Sequence, residues 1–375
     1  MSQKTALPVA HAVGQNQQTD HAVDSIQNQR SYLIFTAGIR ANATLITYTK
    51  YLEVFRKFAK SPDYDSLINM PEKNRRILIE DFVLLQRKYH RYASLDTILS
   101  SVTKFFTMND IMVNSKKLRS FFPAKLKPLG DKAYTTEDVQ YLLSLTKTLK
   151  HKALIHILAS SGMRAGAICN MKLKHLKDMP QNCKSVLVYP RSLEEYTTFI
   201  SPEAVNHLEK YFDERKNHGE KLTDESFLFM TDGTNARQFS ETWVSALMGR
   251  MAQKLPTRNR ANDMVYDKKA THALRKRFNT IVKMSKGCNL SLAERLMGHS
   301  QSVKLDNSYF KPTIEQLFSE YLNALPEIMV DEKYKLRIEL KKQQEKINEL
   351  ESSENKIKML EEKLNQVLAH TENII

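Results

Sequence analysis

Cysteine is scarce in this chain. Its 375 residues hold only Cys169, Cys183 and Cys288, which are far apart and form no CxxC pair. That argues against a disulfide framework and a zinc site, and leads us to expect a reducing, cytoplasmic setting. Long apolar runs are also missing: no stretch reaches the roughly 18 residues that a membrane span needs. The first residues, MSQKTALPVAHAVGQNQQTD, lack a basic start followed by an apolar core, so a soluble, non-exported protein without a membrane partner is expected. Acidic residues are in the minority, 42 against 57 Lys plus Arg, for a net charge of +15. This is the sign expected of a protein that sits on a phosphate polyanion, although a merely soluble basic protein would share it. A hydrophobic content of 41% over this length supports two ordinary domains, each with a core, and excludes a wholly disordered chain.

Residues 1–29 are rich in Gln, Asn, Ser and Thr without a sustained period, and read as a flexible tail. From 30 to 122 the pattern turns helical. Leu45, Tyr48, Leu52, Phe55 and Phe58 recur at helical steps behind Asn42 as cap, and further helices are predicted over 72–90 and 94–110, the latter capped by Ser94 and faced by Leu95, Ile98, Val102 and Phe105. Arg75, Arg76, Arg87, Lys88 and Arg91 give this domain a basic side, which reads equally as a solvated helix face. Two prolines, a glycine and two lysines within 122–130 mark 123–133 as a linker. Beyond it, Thr135 to Asp138 has the form of a capping box for a helix reaching about Leu149, with a second helix at 151–160. β-Branched and aromatic residues flank a Pro-containing turn between 184 and 200, predicting a hairpin, and helices resume from Pro202. Ser291 to Glu294 has the form of another capping box, with Gly287 as the stop before it. The second domain is placed at 134–326. The remainder, 327–375, is a coiled-coil candidate through Leu336, Leu340, Ile347 and Leu350, then Ile357, Leu360, Leu364 and Val367. The two runs are out of phase, so a stutter or a helical hairpin competes with one continuous coil.

Four short strings carry chemistry when taken in order: Ser160-Ser-Gly-Met-Arg164, His272-Ala-Leu-Arg275, Leu296-Met-Gly-His299, and Tyr309 close behind. Each alone is a commonplace helix stripe or turn. Together they resemble the signature of tyrosine recombinases, the phage integrase family. That resemblance is clear from about Thr135 to Leu325 and looser before it. It implies a mainly α protein with a small β-hairpin or sheet, built as a helical core-binding domain, a catalytic domain and a helical extension. It also implies double-stranded DNA as partner, held between the two domains, and four protomers exchanging strands through a Holliday junction.

Under this reading Tyr309 is the nucleophile, forming a 3′-phosphotyrosine that stores the bond energy, so that no metal, ATP or other cofactor is called for. Arg164 and Arg275 would present forks of donors to the nonbridging oxygens of the pentavalent phosphate. His272 and His299 would donate hydrogen bonds or move protons. Tyr321 is the rival nucleophile, but Leu317, Phe318, Tyr321 and Leu325 form an apolar stripe. The family places a lysine in the hairpin turn to protonate the leaving 5′ oxygen. Here the turn reads Pro-Arg-Ser-Leu-Glu-Glu, and only Lys184 at the far end of the first strand and Arg191 near the tip are at hand. A guanidinium holds its proton too tightly for that work. Integration or excision of a mobile element is the preferred role. A type IB topoisomerase-like relaxing enzyme and a catalytically decayed DNA-binding accessory protein are the alternatives.

Overall fold

In the computed structural model, residues 28–125, 132–233, 236–262, 265–299 and 310–372 are described. Most of the expected tail, residues 126–131 of the expected linker, and Tyr309 lie outside the described residues. The chain divides into two compact units, residues 1–127 and 128–375. No described helix is long and apolar enough to cross a membrane.

The first unit is all helical: α1 (Arg30–Ala37), α2 (Asn42–Phe58), α3 (Tyr64–Asn69), α4 (Glu72–Gln86), α5 (Tyr92–Met108) and α6 (Ser115–Ser120). Its core is aromatic. Phe55 sits edge-on to Phe82 at 5.0 Å and to Phe106 at 5.9 Å, while Leu95, Ile98, Val102 and Phe105 are buried along one face of α5. Two expected caps are corrected. Asn42 lies inside α2, whose N-cap is Ala41, and Ser94 lies inside α5, whose N-cap is Arg91; neither cap makes a side-chain capping hydrogen bond. Burial of the aromatic face, rather than a polar cap, sets where these helices start. The basic side also splits in two. Arg75 gives hydrogen bonds to the Ile68 and Met70 carbonyls at 3.1 and 2.9 Å, closing the end of α3, whereas Arg76, Arg87, Lys88 and Arg91 are exposed.

The second unit is built around α8 (Leu149–Ser161), which follows α7 (Thr136–Ser144). The string ALIHILASS is apolar almost all round, and the helix is accordingly buried on nearly every side. The Thr135–Asp138 capping box is formed in full at α7. After α9 (Ala165–Cys169) come three antiparallel strands in the order β1-β2-β3: β1 (Leu176–Met179), β2 (Cys183–Val188) and β3 (Tyr196–Ile200). The predicted hairpin is β2–β3, with Lys184 opposite Ile200 and Val188 opposite Tyr196. Strand β1 was not predicted; at four residues, with Lys177 and Asp178 exposed, it carries no alternating signal.

Next come α10 (Pro202–Asn217), α11 (Glu241–Gln253), a small ribbon of β4 (Arg260–Asn262) and β5 (Val265–Tyr266), α12 (Ala270–Met284), α13 (Leu290–Leu296) and α14 (Ile314–Ile328). The cap of α13 is another correction. Asn289, not Ser291, caps it, its side chain accepting from the backbone N–H of Ser291 and Leu292. Gly287 lies just beyond α12 with φ 75°. Pro326 sits inside α14, and Met329 and Val330 are buried, so the extension begins as α15 (Glu332–Glu372), a single continuous helix rather than a hairpin.

Candidate active site

Two glycines shape the site. Helix α8 ends at Gly162 in the left-handed region, φ 62°, and a Cβ there would fall 2.3 Å from Phe278 Cδ1. Only glycine fits such a turn and such an approach. The turn delivers Arg164 to the N-cap position of α9 with its side chain 44% exposed, where its Nη1 lies 3.9 Å from Glu194 Oε2 of the hairpin turn. Gly298, just after α13, repeats the device at φ 59°: a Cβ there would meet Tyr196 Cδ1 at 2.3 Å. His299 follows directly.

Arg275 ties the two turns together. It is buried on α12, and its Nη1 and Nη2 donate to the carbonyls of Gly162 at 2.7 Å and Met297 at 2.6 Å. Three of the four strings singled out by sequence therefore meet at one guanidinium. Burial, and then the charge of Arg164, lower the pKa of Arg275, while the Tyr196 hydroxyl opposes that shift. The group stays cationic throughout the useful pH range, since arginine starts so high.

His299 Nδ1 lies 2.5 Å from Glu294 Oε2, a carboxylate that also holds Lys283. That partner orients the ring and leaves the other nitrogen to act. Burial lowers the His299 pKa, as do the nearby Arg275 and Arg164, against the pull of Glu294. The ring is thus kept neutral near pH 7. His272 is exposed on the first turn of α12, one turn ahead of Arg275.

Arg164, Glu194, Tyr196, Arg295, His299 and Lys311 line one cleft of about 680 Å³. Tyr196, Glu294, Arg295 and Lys311 were missed in sequence. Strand register brings in Tyr196, and no local motif marks it. Arg295 donates to the Phe310 carbonyl and stacks on its ring at 5.4 Å, so it pins the residue that follows Tyr309. Tyr321, the rival, is fully buried on α14 against Phe199 and Phe278, and cannot reach a substrate without unfolding that helix. Lys184 is paired with Asp178 at the strand end away from the turn. Arg191 is in the turn at φ 63°, its backbone N–H bonded to Glu195.

An open, cationic cleft with a neutral imidazole suits a phosphodiester. The model of the phage integrase family matches residues 132–315. These residues form a phage integrase domain. The integrase fold extends across both units in comparisons with solved structures. The Tn1549 transposon integrase in complex with transposon right end DNA is 16% identical, with a TM-score of 0.52 over 80% of this chain and 97% of that one. A lambda integrase dimer bound to a COC′ core site is 15% identical, with a TM-score of 0.50 over 79% and 82% of the two chains. XerH site-specific recombinase bound to difH substrate in a pre-cleavage complex is 17% identical, at 0.50 over 73% and 78%. The shared fold is that of the tyrosine recombinases: mainly α with a small antiparallel sheet. No curated protein matches the chain in sequence.

Proposed function

We propose that this integrase-family protein is a site-specific DNA recombinase that cuts and rejoins double-stranded DNA through a covalent bond to Tyr309. The observation that carries the proposal is that Arg164 and His299 line one cleft while buried Arg275 gives hydrogen bonds to the turns that precede both. In the first step the Tyr309 oxygen attacks phosphorus in line and loses its proton to a neighbouring base, for which His272 and His299 are the candidates. The P–O bond to the 5′ oxygen breaks, and that oxygen takes up a proton. Arg164 and Arg275 stabilise the charge gathering on the nonbridging oxygens. Lys311, which lines the cleft, takes the proton-donor place that the hairpin turn leaves without a lysine. Rejoining runs the same steps with a new 5′ hydroxyl.

Integration or excision of a mobile element, by protomers assembled on paired DNA sites, is the role we assign. The lysine-free turn favours one second reading, a DNA-binding accessory protein that no longer cleaves. A nicked suicide substrate carrying the cognate site separates the two, because the released fragment diffuses away and traps the adduct. Recombinase chemistry gives a covalent complex that maps to Tyr309, not Tyr196, and is lost in Tyr309→Phe. Binding without an adduct on any tyrosine would establish the accessory reading.

A further inference from the structure

Helix α15 runs for 41 residues, about 60 Å at 1.5 Å per residue. Along it Leu336, Leu340, Ile347, Leu350, Ile357 and Leu360 are each 46–65% exposed. An apolar stripe of that length left to water is an unpaired interface. The spacing assigns the positions. Leu340 and Ile347 fall at a, and Leu336 and Leu350 at d, with Gln343 the polar d between them; the second run restarts with Ile357 at a and Leu360 at d. The two registers differ by three residues, the offset of a stammer, which overwinds a coil locally without ending it.

The flanking charges name the occupant. In a parallel pair each g residue faces the e residue of the next heptad on the other helix. With two copies of this chain in register, Lys346 meets Glu351 and Lys356 meets Glu361; Glu332 meets Arg337, and Glu339 meets the neutral Gln344. All of these side chains are exposed. No pair in this set joins like charges. An antiparallel pair instead sets g against g and e against e, which breaks the Lys346–Glu351 and Lys356–Glu361 pairs. We propose that α15 is a self-recognition helix that joins two copies of this protein as a parallel, in-register coiled coil before either meets DNA.

Sedimentation of the full chain without DNA tests this, and the outcome does not depend on whether Tyr309 forms an adduct. At micromolar concentration the unaltered protein is expected to be dimeric. Lys346→Glu with Lys356→Glu makes both g–e pairs repulsive and is expected to give monomers. Glu351→Lys with Glu361→Lys is expected to do the same. Mixing these two variants one to one turns every altered pair attractive again and restores a dimer containing one copy of each. A monomeric unaltered protein, variants that stay dimeric, or a mixture that stays monomeric would overturn the proposal. The first result would point to another partner for α15 or to α15 docking on its own chain, and the second to a dimer held by another surface.

Discussion

Gly298→Ala is the change that most directly probes how the fold makes the site. The backbone at Gly298 has φ 59°, a conformation that costs an L-residue about 1–2 kcal/mol. The new methyl would sit 2.3 Å from Tyr196 Cδ1, and overpacking of that kind costs about 1–3 kcal/mol. The variant should therefore lose about 2–5 kcal/mol by urea unfolding, the sum of the backbone and steric costs. Because His299 is the next residue, the yield of covalent adduct should fall as well. Pairing the change with Tyr196→Ala isolates the steric part. If the ring is what the methyl meets, the double variant is less destabilised than the sum of the singles by about 1–3 kcal/mol, the overpacking cost alone. A Gly298→Ala protein within about 0.5 kcal/mol of the unaltered one, the spread of ordinary surface substitutions, would refute the argument. So would strict additivity.

Other perturbations separate binding, chemistry and proton transfer. Arg164→Ala should slow adduct formation by about a hundred- to a thousandfold, as removing one charge-stabilising donor does elsewhere, with DNA affinity changed only a few-fold; a loss confined to affinity would contradict its role. Lys311→Ala should slow cleavage of an ordinary diester but not of one with sulfur in place of the leaving 5′ oxygen, because sulfur departs without a proton. Equal slowing on both substrates would remove Lys311 as the donor. On acidification, buried His156 is the group to watch. Its ring stacks on His207 at 4.2 Å, its Nδ1 is 3.3 Å from Glu203, and burial holds its pKa well below the ordinary 6.5. The folded ring stays neutral while the unfolded one protonates, so its contribution to stability is full above pH 6.5 and is lost as pH falls below that value. Glu203, whose pKa burial raises, works partly against this by holding its proton in the folded state. His156→Gln should flatten the fall in denaturation midpoint between pH 6.5 and 5, and an unchanged slope would show that other groups dominate.

The parts of this protein legible in sequence are those whose cause is local. The Thr135–Asp138 capping box needs only a few neighbouring residues and forms as read, and the Gly162 turn is equally local. At α13 two local signals compete, and Asn289 wins because its side chain reaches the N–H groups of both Ser291 and Leu292. What sequence hides is set by distant packing. Arg75 belongs by charge to a basic face, yet it closes the end of α3 by bonding two carbonyls. Tyr196 looks like an ordinary strand aromatic; its place over Gly298 follows from the β2–β3 register and the path of α13, which no short motif encodes.

Arg164 and Arg275 illustrate why identical residue types in one signature are not equivalent. Arg164 stands half exposed at a helix N-cap, and the one carboxylate paired with it among the described residues is an exposed glutamate at 3.9 Å. Such a pair contributes little to the fold, which leaves the charge available for an incoming phosphate. Arg275 is buried and gives two hydrogen bonds to carbonyls of separate turns. Taking it away leaves both carbonyls without that partner and releases the turns that carry Arg164 and His299. A lysine there offers one nitrogen where two diverging donors are needed, so it keeps the charge and loses the clamp. Arg275 therefore serves architecture and charge together, while Arg164 serves through the placement of its charge.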